Sequence, residues 1–107
     1  MLARTPKPPY YAVIFTAVAT DELEGYEETS ALMRELAEKE EGFLGLESAG
    51  DKEEITVSYW KDLDAIQKWK HNTDHQIAKA KGRKDWYERY ISRIARVERE
   101  YGFEKEN

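Results

Sequence analysis

The run from Ile55 to Asn72 constrains the fold more than any other part of the chain. It begins with the alternation of a strand, in which one face carries Ile55, Val57 and Tyr59 and the other carries Thr56, Ser58 and Trp60. Asp62 follows directly and is a favoured helix N-cap residue. The apolar residues of the next segment recur at helical spacing and are expected to face the strand, namely Leu63, Ile66 and Trp69. The run therefore predicts a strand joined by a tight turn to a helix.

The composition fits one small domain that uses aromatic side chains heavily. A chain of 107 residues is long enough for a single domain. Its apolar share of 40% is slightly below the range of about 45–50% that is usual when glycine is counted. Part of the core is therefore expected to be completed by a partner subunit. The aromatic share of 12% requires a core, an interface or a pocket.

The charge and the absence of cysteine exclude several classes of function. A net charge of −5 argues against nucleic-acid binding, which needs a basic face. Because the chain has no cysteine, we expect no disulfide, no iron–sulfur cluster and no cysteine nucleophile. The same absence fits a cytoplasmic protein.

The N-terminus has some features of a targeting segment. Arg4 and Lys7 precede an apolar run, and Ala17-Val18-Ala19 resembles a cleavage site of small residues. Prolines interrupt the approach, however, and the run alternates like a strand. No stretch reaches the ~20 apolar residues needed to span a bilayer. We therefore expect neither a signal peptide nor a membrane anchor.

The first half of the chain predicts an arm, a strand and a helix. Prolines hold residues 1–9 extended, and Tyr10–Val18 reads as a strand that is apolar on both faces and therefore central. Asp21 is predicted to cap a helix from Glu22 to Glu40, which Gly42 ends. Its expected buried stripe consists of Leu23, Tyr26, Ser30, Met33, Leu36 and Ala37.

The middle of the chain predicts a hairpin and two further helices. The hairpin strands are Phe43–Ala49 and Ile55–Trp60. A helix is expected from Asp62 to His71. The spacing of Thr73 and Gln76 is that of a second capping box, which predicts a new short helix from Asp74 to Lys81.

The segment Trp86–Val97 has two interpretations. Its helical stripe of apolar residues is good, and propensity alone favours a helix. A strand is preferred for a topological reason, because it completes the split βαβ order of strand, helix, strand, strand, helix, strand. The predicted fold class is therefore α+β, a ferredoxin-like βαββαβ domain with a four-stranded antiparallel sheet.

Several quoted runs also resemble a known family. The run ITVSYWKDLDAIQKWKHN, the Gly82-Arg83 turn and the ending WYERYISRIARVEREYGF resemble the antibiotic biosynthesis monooxygenase-like domain of the dimeric α+β barrel superfamily. The likeness covers Tyr10 to Phe103. It implies a domain over residues 10–103, with residues 1–9 as an arm and 104–107 as a tail. It also implies a homodimer in which two sheets pack face to face to form a barrel.

Because the family contains more than one activity, the resemblance leaves three functions open. The first is oxygenation of a small aromatic substrate without a metal or organic cofactor. The second is a non-catalytic dimeric module that binds a small ligand or serves a stress response. The third is haem binding or haem degradation. That reading loses support because Lys79 stands where those members place a histidine and the first strand has no asparagine.

Three residues are predicted to be catalytic. Trp69 corresponds to a helical tryptophan that faces the pocket in haem-degrading members, although it would equally fill space between helix and sheet. His75 is a candidate base because imidazole titrates near neutral pH. Arg83 is a candidate partner for a developing oxyanion. His71 lies four residues before His75, but a helix break at Thr73 would separate the two, so no metal site is predicted.

Four aromatic residues are predicted to bind the ligand: Trp60, Trp86, Tyr87 and Tyr90. Packing at a dimer interface, where aromatic residues are favoured, explains them equally well. The expected partners are thus a second copy of the chain and a small aromatic or otherwise apolar molecule. No cofactor is expected unless the haem reading holds.

Overall fold

The predicted α+β fold is confirmed. The computed structural model describes residues 2–80 and 83–106, and the side chains of residues 75–80, 83 and 84 lie outside that description. The elements in chain order are β1 (Tyr10–Ala19), α1 (Tyr26–Lys39), β2 (Phe43–Gly50), β3 (Glu53–Trp60), α2 (Leu63–Ala80), α3 (Arg83–Trp86) and β4 (Tyr87–Val97). No helix among these described residues is long and apolar enough to cross a membrane.

The four strands form one antiparallel sheet in the order β2-β3-β1-β4. The strand β1 is central, as its two apolar faces predicted. The segment after α3 is a strand, and its pairing with β1 extends from Tyr10–Val97 to Ala19–Tyr87. This ladder supplies the backbone hydrogen bonds that outweigh the helical propensity of the segment.

The two faces of the sheet differ in what covers them. One side, which we call the helix face, carries Tyr11, Val13, Phe15 and Ala17 of β1. The core forms on this side, where Trp60 packs with Ile66 and Ala65 of α2 and with Ala37 of α1. The other side, which we call the open face, carries Ala12, Ile14, Thr16 and Val18. No described helix packs on it.

The N-terminal residues cover one end of the open face. The amide of Ala3 donates a hydrogen bond to Glu47 Oε2 over 2.9 Å, and the hydroxyl of Thr5 donates to the Tyr10 hydroxyl over 2.9 Å. Tyr10 is buried as a result. Away from this end the open face exposes apolar side chains, since Ile55 is 50% exposed and Ile91 is 48% exposed.

The first helix begins later than predicted. The predicted start at Glu22 with Asp21 as N-cap is wrong, because Gly25 at φ 80° occupies the N-cap position and no side chain caps the helix. A residue in the left-handed region cannot belong to an α-helix, so the chain from Asp21 to Gly25 turns before α1 begins. Leu23 and Ser30, both expected in the buried stripe, are exposed, whereas Ala37 is buried.

The second helix is continuous where a break was predicted. The Thr73 hydroxyl does not cap a new helix but donates to the Lys70 carbonyl over 2.9 Å, a bond that a threonine within a helix can make. The start is as expected, since Asp62 Oδ1 accepts a hydrogen bond from the Ala65 amide over 2.8 Å. Leu63 is 53% exposed, so its expected packing against the strand is wrong.

Candidate active site

A pocket of about 570 Å³ opens on the helix face at the end where β1 finishes. The start of α1 forms one wall, and the β2–β3 hairpin from Gly50 to Lys52 forms another. The sheet supplies Ala17, Ala19 and Glu54, and Tyr87 closes the side next to β4. The left-handed turn at Gly25 brings Leu23 and Tyr26 to the same opening, so the late start of α1 shapes the pocket.

An aromatic cluster lies beside and beneath this pocket. Tyr26 makes edge contacts with Trp86 and Tyr87, with ring centroids 5.5 and 6.1 Å apart. Phe15 lies 5.7 Å from Tyr87 and 5.3 Å from Tyr90. The Trp86 ring is buried, and its Nε1 donates to the Glu24 carbonyl over 2.8 Å. This bond ties α3 to the turn before α1 and holds the pocket wall in place.

A bulge brings the two tyrosines of β4 onto one face. Tyr87 and Tyr90 are three residues apart, so a regular strand would place them on opposite faces. The register between β1 and β4 shifts between Val18 and Ala19, which pairs Ala19 with Tyr87 while Ala17 pairs with Tyr90. An extra residue of this kind re-aims a side chain. Both rings therefore lie against Phe15.

The polar groups of the pocket converge on Tyr26. Its hydroxyl donates to Glu54 Oε1 over 3.4 Å, and the Thr56 hydroxyl donates to the same oxygen over 3.3 Å. Burial raises the pKa of Tyr26; a hydrogen bond from Tyr87 opposes this shift, and the charge of Glu54 adds to it. The phenol thus stays protonated at neutral pH, and its single proton is donated to Glu54. Glu54 is half-buried and contributes a carboxylate to the pocket wall.

Trp60 and Trp69 belong to a separate cluster. Their rings stack at 5.6 Å and 30°, and Phe43 meets Trp60 edge-on at 5.3 Å. Trp60 is fully buried, and its Nε1 donates to the Ser58 hydroxyl over 2.9 Å. Neither tryptophan lines the 570 Å³ pocket. Of the predicted ligand-binding residues, Tyr87 lines the pocket. Trp86 and Tyr90 lie in the aromatic cluster beside it, whereas Trp60 lies in the core with Trp69.

The remaining predicted catalytic groups lie outside the described side chains. His75 is within α2 and Arg83 begins α3, but their side-chain positions are not among those described, nor is that of Lys79. Because α2 is continuous, His71 and His75 share one helix, contrary to the predicted break. Within the described part of the chain, no three histidine, aspartate or glutamate side chains cluster in a way that could hold a metal ion.

A second pair of residues with shifted pKa values, Tyr59 and Glu47, lies on the open face. The Tyr59 hydroxyl donates to Glu47 Oε1 over 2.7 Å, beneath the N-terminal residues. Burial, followed by the hydrogen bond and charge of Glu47, raises the pKa of Tyr59 to about 12. The same bond, with that from the Ala3 amide, lowers the pKa of Glu47. Because Tyr59 and Glu47 are already hydrogen-bonded within the protein, we infer that they stabilise this end of the sheet.

The sequence did not single out Glu54 or Tyr26 as site residues. A signal existed for Glu54, because it shares a strand face with Thr56 and Ser58, and that face turned out to lie under the helices. Tyr26 was expected only as part of a buried stripe. Its place at the pocket depends on the turn at Gly25, which the sequence pattern did not reveal.

Comparisons with known proteins agree with this architecture. Residues 9–81 match the family model described as antibiotic biosynthesis monooxygenase. The "Uncharacterized protein YqjZ" of Bacillus subtilis is 51% identical over 106 residues, which cover 97% of this chain and 93% of the relative. A crystal structure of a Pseudomonas aeruginosa protein is similar with a TM-score of 0.66 at 18% identity, over 90% of this chain and 99% of that one.

A protein described as an oxygenase also has a similar fold. SnoaB, a cofactor-independent oxygenase from Streptomyces nogalater, has a TM-score of 0.64 to this chain at 10% identity, over 92% of this chain and 100% of SnoaB. At such low identity these structures establish the fold alone. The family is established by the match over most of the chain: the protein belongs to the antibiotic biosynthesis monooxygenase family.

Proposed function

We propose that the protein is a monooxygenase that oxygenates a small aromatic substrate in the pocket beside Tyr26, without a metal or organic cofactor. The observation that carries this proposal is a carboxylate, Glu54, set in the wall of a pocket whose other groups include Tyr26 and Tyr87. A volume of about 570 Å³ suits a molecule of a few rings. Family membership and the fold shared with SnoaB support the reaction type.

The pocket residues have distinct roles in this reaction. Glu54 takes a proton from an acidified methylene group, such as that of an anthrone. Protonation of Glu54 releases the Tyr26 hydroxyl from its bond to that carboxylate, and the phenol then donates a hydrogen bond to the oxyanion that forms on the adjacent carbonyl oxygen. Tyr87 supports this donor through its hydrogen bond to Tyr26. The carbanion gives one electron to O₂, and the two radicals combine to form a carbon–oxygen bond. Glu54 returns its proton to the peroxide, and loss of water leaves a new carbonyl group.

The residues predicted from the sequence keep places in this proposal. His75 is an alternative base, and Arg83 is an alternative contact for the oxyanion. Trp69 stacks on Trp60 in the core, so its expected role is to hold α2 against the sheet. Comparing variants of Glu54 and His75 identifies the base, because only loss of the base should shift the pH profile of the reaction.

Oxygen consumption with anthrones and electron-rich phenols tests the proposal. Glu54→Gln should lower kcat by about 10²–10⁴-fold, the usual contribution of a positioned base. Glu38→Gln is the matched control, since it removes the same charge from α1 about 18 Å along the helix from Tyr26. Failure of the whole panel to consume oxygen would refute catalysis. Binding of the same compounds without turnover would instead favour the non-catalytic ligand-binding module.

We further propose that two copies pack through their open faces, as the family resemblance implies. The support is the accessible apolar surface around Ile55 and Ile91. Arg89 and Arg93 share this face, so the interface has to pair their guanidinium groups. Sedimentation of the wild type should give twice the mass of the chain, and Ile55→Glu should give the single mass. A monomeric wild type at micromolar concentration would refute the dimer.

A further inference from the structure

We propose that the pocket beside Tyr26 selects aromatic molecules that carry a positive charge, such as arylalkylamines, over neutral and anionic ones of the same size. This inference rests on the proposed function, because it names the charge class of the aromatic substrate that the same pocket accepts. It is argued from the charges and rings of the pocket wall.

Among the described residues, the ionisable side chains that line the pocket are mostly acidic. The described lining has five carboxylates: Glu24, Glu27, Glu28, Asp51 and Glu54. The ammonium group found in this described lining belongs to Lys52, and its Nζ lies 3.7 Å from Asp21 Oδ1. An anionic ligand would therefore meet a negative wall whose cation is already engaged. A cationic ligand would meet carboxylates such as Glu54, whose described hydrogen-bond partners are the neutral hydroxyls of Tyr26 and Thr56.

The helix terminus in the pocket does not reverse this balance. The start of α1 contributes a positive end of roughly half a charge. Its first turn carries Glu27 and Glu28, which compensate that partial charge. The Tyr26 amide is also already engaged, since it donates to the Leu23 carbonyl over 2.9 Å. Carboxylates therefore dominate the field in the opening.

Glu54 and the aromatic rings give the preference a specific location. Glu54 is half-buried, so its charge is less screened than those of the exposed glutamates at the rim. Tyr26 and Tyr87 line the same pocket, and aromatic faces attract cations as well as aromatic ligands. An arylalkylamine can thus place its ring against the tyrosines and its ammonium group at Glu54. Neutral and anionic aromatic ligands would interact favourably with the rings but not with the carboxylates.

Three ligands that differ in charge test the inference without any turnover. They are 1-naphthylmethylamine, 1-naphthylmethanol and 1-naphthylacetate, titrated into the labelled full chain and followed by amide chemical shifts. One unit charge about 4 Å from a carboxylate changes affinity by about fivefold in water, so amine and carboxylate should differ by roughly 25-fold. The shifts should concentrate at the start of α1 and at the β2–β3 hairpin. Raising the salt concentration from about 0.05 M to 1 M should shrink the difference.

Variants separate this site from the overall negative charge of the protein. Glu54→Gln should weaken the amine by about fivefold and leave the alcohol unchanged. Glu27→Gln should act in the same direction, and it keeps the test valid if the first variant does not fold. Glu38→Gln, which changes the net charge equally, should weaken neither ligand. An equal loss in all three variants would show a general field effect and overturn the inference.

Further outcomes also decide the inference. Equal or tighter binding of 1-naphthylacetate would overturn it, as would shifts away from the pocket or no binding by any of the three ligands. The result is distinguishable from that of the oxygen-uptake assay. Charge selection without oxygen consumption would support the binding site and contradict the proposed enzymatic activity. Oxygen consumption without charge selection would support the enzymatic activity and contradict the proposed substrate class.

Discussion

The hydrogen bond between Tyr59 and Glu47 makes the stability of the protein depend on pH in the alkaline range. The two side chains meet over 2.7 Å on the open face, beneath the N-terminal residues. The pKa of Tyr59 is raised from 10.0 to about 12, mainly by burial and then by Glu47. The perturbation that tests this reasoning is Tyr59→Phe, which removes the titrating hydroxyl and keeps the ring.

The sign and size of the effect follow from proton linkage. Between the two pKa values the unfolded chain has released a proton that the folded protein still holds, so the free energy of unfolding falls as pH rises. The contribution of Tyr59 to stability is fully present below the pKa of the unfolded chain and is lost as the pH rises toward the pKa of the folded protein. At about pH 11 the loss reaches at most about 1.4 kcal/mol. Because Tyr59 is only partly buried, screening reduces the expected loss to about 0.5–1 kcal/mol.

Urea unfolding at about pH 8 and about pH 11 measures this quantity. The free energy of unfolding of the wild type should exceed that of Tyr59→Phe by less at about pH 11 than at about pH 8, and the decrease should be about 0.5–1 kcal/mol. Tyr101→Phe is a matched control, because that phenol is 88% exposed, and it should follow the wild type at both values. A wild-type advantage over Tyr59→Phe that is the same at both pH values would refute the linkage argument.

Three other predictions concern the fold. In urea unfolding, Gly50→Ala should lower the free energy of unfolding by at least about 2 kcal/mol and Gly25→Ala by about 1 kcal/mol. Both glycines have positive φ, but only at Gly50 would the added Cβ lie 2.1 Å from the Glu53 carbonyl oxygen. Equal losses at the two positions would contradict this reasoning. Trp60→Ala should cost about 3–5 kcal/mol and lower Tm, because the fully buried ring leaves a cavity; a small change in Tm would show that the core collapses around it. Thr73→Ala should change stability by less than about 0.5 kcal/mol in the same assay, whereas a loss of about 1 kcal/mol would restore the N-cap interpretation.

The fourth strand shows how far reasoning from the sequence could go. Local propensity in Trp86–Val97 favours a helix, and only the order of the other elements predicted a strand. The structure has a strand from Tyr87 to Val97 paired with the central strand. The prediction succeeded because a half-built split βαβ sheet leaves one edge of β1 unpaired, and only a strand satisfies that edge.

The two helices show where local patterns misled. Asp21 and Thr73 both have the spacing of N-cap residues, yet neither caps a helix. A capping signature indicates only that the side chain of a residue can accept a hydrogen bond from a free backbone amide. Whether the amide is free depends on the surrounding chain. The left-handed turn at Gly25 delays α1, whereas α2 runs without a break from Leu63 to Ala80.

The sequence by itself determined the order of strands and helices and which face of each strand is apolar, because these depend on residues a few positions apart. The tertiary structure alone decided where the pocket lies. Tyr26, Glu54 and Tyr87 are far apart in the chain and meet through a helix start, a hairpin and a bulge. The hairpin was predicted, but the helix start and the bulge have no periodic signature, since each depends on backbone geometry set by distant contacts.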